Sequence, residues 1–516
     1  MADTKEQEMQ KRIDALEKEN RILKERLACF QNKAFGRRTE TKAAICPDLE
    51  PSLFDEAETE AKQSVKEPPV ETVVKAHTRK KKNGTAAKEA LDHLPQELIE
   101  EKVVTLPEDK QSCEHCGHKL FPVGTSLVRE EVEFIPAKIR IIRYMRTSYE
   151  CRECKKNDVP TMVKPAVPQP VIPHSFASPS LVSHVMVGKY VNAVPLYRQE
   201  KEWHQMNLPV SRATLANWII IASKEWLEPL CDRMHTLLLQ EPCIHADETP
   251  VQVLNEKSRK NTSKSYMWVF ASGEFEALHA IRLFKYSPTR KGENARKYLD
   301  GYTGFLHTDD YAGYNLVPHV KRCLCWAHAR RKFVEATVGG IDPDTETLAK
   351  EGLAQIGKLF KLEQEFKELP AMQRQEGRQK RARPILDAFW QWAEKSRDGI
   401  LPKSKLSNAL NYALTNRVFL ETYLNDGKCA ISNNLAENSI RPFTVGRKNW
   451  LFSGSPKGAA ASARVYSVIE TCKANGLNPE KYLTYLFKHM PNEAKLTPEI
   501  LDTYMPWNPA VQAICK

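Results

Sequence analysis

The sequence has no long hydrophobic run, no export signal and few closely spaced cysteines. No stretch reaches the roughly 18 consecutive apolar residues that a membrane-spanning helix needs. The charged first residues are not followed by an apolar segment and a cleavage site. Most of the 13 cysteines are scattered singly. These absences argue against a membrane protein and a secreted disulfide scaffold, so we expect a cytoplasmic protein with reduced thiols.

Length and positive charge are the main features of the composition. At 516 residues the chain is long enough for more than one domain and for a sizeable hydrophobic core. Lys and Arg number 77 against 65 Asp and Glu, which gives a net charge of +12. This charge favours a polyanionic partner.

A heptad pattern marks the N-terminal region, residues 1–43. Its a and d positions are Met9, Ile13, Leu16, Asn20, Leu23, Leu27 and Phe30. An Asn at an a position typically selects the register and a two-stranded state. The pattern predicts a short leucine-zipper-like coiled coil, and the alternative is a single amphipathic helix docked on its own protein. Residues 44–91 turn acidic and then Pro- and Lys-rich, which predicts a flexible linker.

Two Cys-x-x-Cys pairs indicate a zinc ribbon over residues 92–160. The pairs are Cys113 with Cys116 and Cys151 with Cys154. Four thiolates on two tight turns close a tetrahedral structural zinc site. The alternatives are coincidental free thiols or a redox pair, but a redox pair leaves the second motif unexplained.

Residues 161–235 read as helices that resemble a helix-turn-helix. A break at 207–210 is followed by Ser211, an expected N-cap, and then by a second helix. Arg212 and Asn217 on that helix are candidates for contacts with DNA. A helical hairpin that does not touch DNA has the same pattern.

From residue 236 the periodicity changes to strands, and the order of elements predicts a ribonuclease-H-like α/β core. Three strands, the third of them over 277–284, a helix and two further strands are expected over residues 236–338. In that fold an Asp on the first strand and an Asp at the end of the fourth lie side by side. Asp247 and Asp309 hold these positions. Charged helical patterns over 339–430 predict a helical insertion in the core.

Residues 431–456 are expected to complete the core with a helix that carries Glu437, and 457–516 form a C-terminal helical region. We expect the first of these helices to end at Arg441, because Pro442 has no amide N–H and disfavours helical geometry in the residue before it. The complete prediction is a multidomain α/β protein. Its ribonuclease-H-like core carries a helical insertion and follows a coiled coil, a zinc ribbon and a helical DNA-binding region.

Asp247, Asp309 and Glu437 are the candidate catalytic trio. Phosphodiester cleavage or transfer uses two divalent ions held by carboxylates, and Mg²⁺ prefers such hard oxygen ligands. Glu248 and Asp310 are adjacent rivals. Successive strand residues face opposite sides of a sheet, so only one member of each pair should face the site.

Several stretches together strongly resemble the insertion-sequence 66 family of bacterial DDE transposases. They are residues 245–251 (HADETPV), 309–314 (DDYAGY), 433–442 (NNLAENSIRP), 34–38 (AFGRR) and 473–477 (KANGL). The family usually has Asp-Gly-Tyr at its second acid, where this chain has Asp-Asp-Tyr. Alignment with that motif makes Asp309 the ligand and leaves Asp310 as the rival.

The resemblance implies that Asp247, Asp309 and Glu437 are the catalytic acids and bind two Mg²⁺ ions, with Mn²⁺ as an alternative. It also covers a Cys-x-x-His motif, in which Cys325 and His328 would support the site; the alternative is a buried thiol and a core histidine. The expected basic and stacking contacts to DNA come from Arg441, Arg447, Lys448 and Trp450.

The implied activity is binding of transposon ends, hydrolysis that exposes a 3′-hydroxyl, and strand transfer into target DNA. Two other functions stay open: a metal-dependent nuclease that does not join strands, and a sequence-specific DNA-binding regulator without catalysis. The expected partners are transposon-end and target DNA, a second copy of the chain or a higher oligomer, and small accessory proteins of the same element. The expected location is the bacterial cytoplasm, associated with the nucleoid.

Overall fold

The computed structural model describes residues 139–150, 162–337, 347–398 and 400–516, together with single positions between Met9 and Leu23. By contacts the chain divides into two compact units. One consists of Met1–Glu40 and Arg143–Lys516, and the other of Thr41–Ile142. The four predicted zinc ligands, the linker 44–91 and much of the heptad region lie outside the described residues.

The described positions between Met9 and Leu23 are helical, as the heptad pattern predicts. The side chains of Met9, Ile13, Leu16 and Leu23 are exposed in the single chain. Apolar a and d positions of a coiled coil become buried only against another helix, so this exposure is compatible with a zipper. The coiled coil itself stays a prediction.

A short antiparallel ladder and a group of four helices precede the main sheet. They are β1 (Tyr149–Glu150), β2 (Met162–Val163), α1 (Pro179–Tyr190), α2 (Leu196–Gln205), α3 (Arg212–Ala222) and α4 (Glu228–Leu238). Ser211 is the N-cap of α3, where its hydroxyl accepts a hydrogen bond from the Thr214 amide at 3.2 Å. The cap predicted from the sequence is therefore confirmed.

The main sheet contains six strands with one helix among them. In chain order the elements are β3 (Cys243–Val253), β4 (Lys264–Ser272), β5 (Arg282–Ser287), α5 (Glu293–Tyr298), β6 (Phe305–Thr308), β7 (Lys321–Leu324) and later β8 (Phe452–Ser453). The strand order is β5-β4-β3-β6-β7, and β8 pairs with the far end of β3. The first three strands are antiparallel, whereas β3, β6 and β7 are parallel. This is the ribonuclease-H-like order that the sequence predicted.

A helical insertion follows β7 and α6 (Trp326–Ala336). It contains α7 (Leu348–Phe366), α8 (Ala371–Gly377), α9 (Arg383–Arg397), α10 (Lys405–Thr415) and α11 (Arg417–Glu421), with a π-helical turn, Arg378–Ala382, between α8 and α9. The hydrophobic core of the insertion includes Cys323 and Leu324 of β7. Within this core the fully buried Trp326 of α6 packs edge-on against Phe389 of α9. The insertion is thus fixed to the edge of the sheet.

The chain then returns to the sheet in a long helix and ends in four more. These are α12 (Asn434–Trp450), α13 (Pro456–Ala474), α14 (Pro479–His489), α15 (Pro498–Thr503) and α16 (Pro509–Cys515). Helix α12 lies on β3 and β4, and α13 lies on β5. Among the described residues, no helix combines the length and apolarity that crossing a bilayer requires.

The structure corrects two boundaries. Helix α12 continues through Pro442 to Trp450, so the prediction that it ends at Arg441 is wrong. Burial of Ile440 and Phe443 on either side of the proline offsets its cost of about 3 kcal/mol. The strand expected over 277–284 lies instead at Arg282–Ser287.

Candidate active site

The parallel strands place three predicted site residues in one row. His245 of β3 is level with His307 of β6, which is level with Cys323 of β7. Asp247, Asp309 and Cys325 each lie two residues further along the chain, and Asp309 and Cys325 come directly after the ends of β6 and β7. Adjacent strands lie about 4.8 Å apart, and the carboxylates of Asp247 and Asp309 are close enough to repel each other, as the fold predicts.

Glu437 reaches this row from the first turn of α12, which packs on β3. Burial raises the pKa of Asp247 to about 8, and repulsion from the carboxylates of Glu248, Asp309 and Glu437 adds to the rise. The structure therefore brings the whole candidate trio together. Three carboxylates that repel one another offer hard oxygen donors, which suit a divalent cation.

The two rival acids are held by other partners. Glu248 forms an ion pair with Arg290 at 2.6 Å, and its other oxygen accepts a hydrogen bond from the Tyr314 hydroxyl at 2.5 Å. Asp310 is exposed and accepts a hydrogen bond from the Asn416 side-chain amide at 3.0 Å. These contacts favour Asp247 and Asp309 as the members that face the site.

The Cys-x-x-His motif lies directly beside Glu437. His328 Nδ1 is 3.7 Å from Glu437 Oε1, and Arg331 Nη2 is 3.5 Å from the other carboxylate oxygen. Ligand atoms of Cys325, His328 and Glu437 all lie within 4.8 Å of one another. Burial lowers the pKa of His328 and raises that of Cys325 to about 11. The structure thus brings the predicted supporting pair to the third acid of the trio.

Asn433 fixes the start of the Glu437 helix to the strand that carries Asp247. It is 1% exposed, and its side chain does not cap α12. Its amide nitrogen donates instead to the Ala246 carbonyl at 2.9 Å, and its oxygen lies 3.0 Å from His245 Nδ1. Its backbone amide donates to Cys325 Sγ at 3.0 Å. From the sequence, this residue was only the first of the 433–442 motif and had no individual role.

Two buried arginines of the insertion hold the segment that leads into α12. Arg378 is fully buried and forms an ion pair with Glu363 at 2.6 Å. Its other N–H groups donate to the carbonyl oxygens of Tyr423, Asp426 and Cys429. Arg374 donates to the Gly427 carbonyl at 2.6 Å. The insertion therefore contributes to the placement of Glu437, which its charged helical pattern did not reveal.

The candidate DNA contacts differ in how far their side chains are exposed. Arg212 and Asn217 are exposed on α3, and Arg441 and Lys448 are exposed on α12. Arg447 is half-buried, and its guanidinium donates to Thr249 Oγ1 at 3.2 Å and to the Pro250 carbonyl. Arg447 thus ties α12 to β3, and the phosphate contact expected of it stays a prediction.

Trp450 is also engaged within the protein. Lys189 Nζ lies 3.8 Å from the centroid of its indole ring, and Tyr190 packs edge-on at 6.4 Å. Residue 446 is a glycine beneath the same ring, and a Cβ there would come within 2.5 Å of it. Stacking of Trp450 on an unpaired base, as expected from the sequence, would require Lys189 to move away.

Comparison with known proteins gives the same assignment along most of the chain. The protein-family model described as "Transposase IS66 family" matches residues 174–461, which is more than half of the chain. Three further models match outside or beside that range. They are the zinc-finger binding domain of transposase IS66 at residues 110–155, the IS66 C-terminal element at 467–507, and "Transposase C of IS166 homeodomain" at 22–99.

Similar full-length proteins occur in Sinorhizobium fredii (strain NBRC 101917 / NGR234). The uncharacterized protein y4qI is 30% identical over 393 residues, which cover 73% of this chain and 70% of that protein. The uncharacterized protein y4hP is 27% identical over 466 residues, which cover 87% and 82%. The resemblance inferred from the sequence motifs is confirmed, and the chain belongs to the IS66 family of DDE transposases.

Proposed function

We propose that this transposase cuts transposon ends and joins them to target DNA with Asp247, Asp309 and Glu437 as its catalytic acids. The observation that carries the proposal is the convergence of these three carboxylates from β3, the end of β6 and α12. The engagement of Glu248 and Asp310 by other side chains supports this choice of acids. Family membership supports DNA as the substrate.

The three acids have the chemistry of a site for Mg²⁺ or Mn²⁺. Two such ions bound there would activate the attacking oxygen and stabilise the leaving oxygen of the phosphodiester. The protein's own contribution is positioning: strand register sets the two aspartates, and Asn433 and the buried Arg378 hold the approach to Glu437. Preorganised ligands of this kind need no rearrangement during the reaction.

Two successive reactions would use the same site. In the first, water attacks a phosphodiester at the transposon end and leaves a 3′-hydroxyl. In the second, that hydroxyl attacks a phosphodiester of target DNA, so one P–O bond forms as another breaks. This exchange needs no external energy source and no covalent enzyme intermediate.

Exposed side chains on two helices are the proposed DNA contacts. Arg212 and Asn217 of α3 would contact the transposon end, and Arg441 and Lys448 of α12 would contact phosphates near the acids. Phosphate contacts contribute affinity that falls with salt concentration. A change of Arg212 to Ala should therefore reduce the salt dependence of DNA binding as well as the affinity.

The N-terminal regions complete the proposal. Cys113, Cys116, Cys151 and Cys154 fall within the matched zinc-finger segment and would bind one structural Zn²⁺. The heptad over residues 1–43 would pair two copies, so that two transposon ends are held together. We also propose the division into linker 44–91, ribbon 92–160 and helical DNA-binding region 161–235, with small accessory proteins of the element as further partners.

The test is strand transfer of a labelled transposon-end duplex into plasmid DNA with Mg²⁺. The wild-type chain, supplied with the accessory proteins of its element, should give joined product, and Glu437→Gln should give none while it still binds the end. Cleavage by the wild type without joining would support a nuclease instead. End binding that is equal in both proteins, with no cleavage by either, would support a regulator and refute the proposal.

A further inference from the structure

Cys325, His328 and Glu437 form a mixed sulfur, nitrogen and oxygen cluster next to the proposed magnesium site. Their ligand atoms lie within 4.8 Å of one another and come from the start of α6 and the first turn of α12. Mg²⁺ prefers oxygen ligands, so a thiol and an imidazole are not expected among the ligands of a catalytic Mg²⁺ site. Binding of Mg²⁺ therefore does not account for Cys325 and His328.

The sulfur of Cys325 accepts a hydrogen bond from the backbone amide of Asn433, the residue before α12, at 3.0 Å. Cys325 is itself the residue that precedes α6. The starts of α6 and α12 therefore meet at this sulfur, which lies beside His328 of α6 and Glu437 of α12.

The other two metal-binding atoms of the cluster have no hydrogen-bond partner. His328 Nδ1 and Glu437 Oε1 are both buried atoms without a hydrogen bond, and they lie 3.7 Å from each other. Buried polar atoms in folded proteins are normally satisfied, so each such pair needs an explanation. An ion between them would satisfy both. The two side chains are 25% and 30% exposed, which leaves a path for the ion and room for water as a fourth ligand.

We propose that Cys325, His328 and Glu437 bind a thiophilic divalent cation, with Zn²⁺ as the ion that best suits this donor set. A thiolate, an imidazole and a carboxylate are the ligands that Zn²⁺ takes, and three protein ligands plus water complete its tetrahedral coordination. When the Cys325 sulfur binds the ion, its proton is released to solvent. Arg331 contacts the carboxylate oxygen of Glu437 that the ion would not use.

Glu437 belongs both to this cluster and to the proposed catalytic trio. An ion bound to the cluster would therefore affect catalysis, an inference that rests on the proposed function. An ion in the cluster would take up one oxygen of Glu437, and Arg331 contacts the other, so this carboxylate would be drawn away from the magnesium site. Occupancy of the cluster should therefore inhibit cleavage of DNA. Excess Zn²⁺ should slow the wild-type reaction in Mg²⁺, and Cys325→Ser should be less sensitive to Zn²⁺.

The binding test uses Co²⁺, whose bond to a thiolate gives a charge-transfer absorption in the near ultraviolet. Full-length wild-type protein and Cys325→Ser are each titrated with Co²⁺. The four ribbon cysteines are present in both proteins, so the difference between the two spectra reports Cys325 alone. Cys231→Ser is the matched control, because Cys231 lies on α4, away from the cluster. His328→Gln keeps the thiol and removes the imidazole.

The proposal predicts that wild type and Cys231→Ser show additional charge-transfer absorption beyond the ribbon contribution that remains in Cys325→Ser. Changes around a metal ligand typically cost 10–100-fold in affinity, so His328→Gln, which removes a ligand, should weaken Co²⁺ binding by about 100-fold or more. Identical spectra for wild type and Cys325→Ser would overturn the proposal. If Cys325→Ser fails to fold, unchanged Co²⁺ affinity in His328→Gln would overturn it as well. Neither result depends on whether the protein cleaves DNA.

Discussion

Replacing Asn433 with Ala should loosen the helix that carries Glu437. The substitution removes a side-chain amide that is 1% exposed and joins the start of α12 to β3 through Ala246 and His245. It leaves a buried carbonyl oxygen and a buried imidazole nitrogen without these partners. Each unsatisfied buried group costs about 1–3 kcal/mol, so the total expected cost for the two groups is about 2–6 kcal/mol.

Hydrogen exchange followed by mass spectrometry is the suitable assay, because a chain with several domains has no single free energy of unfolding. In Asn433→Ala, amides of Asn434–Trp450 should exchange faster than in wild type, whereas amides of Pro479–His489 should change little. The matched control is Asn411→Ala, since Asn411 is exposed on α10. Its effect on stability should stay within about 0.5 kcal/mol.

Two results would refute this reasoning. Exchange in α12 that is unchanged in Asn433→Ala would show that the hydrogen bonds to β3 do not hold the helix. Equal acceleration of exchange throughout the chain would show that Asn433 supports the whole fold and not the placement of Glu437 in particular.

Three other substitutions test the packing around the site. Arg378→Met breaks a buried ion pair and should lower the free energy of local opening of α7 and α9 by about 3–5 kcal/mol, whereas Arg381→Met, at an exposed pair, should lower it by about 0–1 kcal/mol in the same hydrogen-exchange assay. Gly446→Ala places a Cβ against the Trp450 ring and should cost about 1–3 kcal/mol, but Gly357→Ala, with open space, should stabilise by up to about 1 kcal/mol. Burial lowers the pKa of Lys189 to about 8, so the folded state loses stability as pH falls from the unfolded pKa of about 10.4 to 8. Lys189→Met should therefore stabilise the surrounding structure by about 1–3 kcal/mol at pH 7, and this gain should shrink as the pH rises above about 8 and vanish above about 10.4, measured by hydrogen exchange of α1.

The strand order and the meeting of the three acids could be predicted because they depend on local patterns and on a known fold. The change to strand periodicity after residue 236 marked β3 and β6, and the ribonuclease-H-like order then placed Asp247 beside Asp309. The assignment of Glu437 depended on its motif, because a helical insertion separates it from the aspartates in sequence. The register of neighbouring strands shows which residues of different strands lie next to each other, and the spacing of residues along the sequence does not show this.

The parts that sequence reasoning missed depend on contacts between distant residues. Asn433 meets His245 across 188 positions, and nothing in either local stretch indicates the pair. Arg378 lies in a charged helical pattern that suggests a solvated surface, but the folded insertion buries it completely. The end of α12 was misplaced because the local penalty of Pro442 is smaller than the stabilisation from packing on both sides of it.

The most direct test of the central claim compares Asp309→Asn with Asp310→Asn in the Mg²⁺-dependent strand-transfer assay. The two substitutions are identical in chemistry and adjacent in sequence, but only Asp309 is proposed to face the other acids. Loss of a metal-binding carboxylate should raise the barrier by about 4 kcal/mol, so Asp309→Asn should lose roughly a thousandfold in rate. Asp310→Asn keeps an oxygen for Asn416 and should react at close to the wild-type rate. Normal transfer by Asp309→Asn, or loss of transfer in Asp310→Asn alone, would contradict the proposed site.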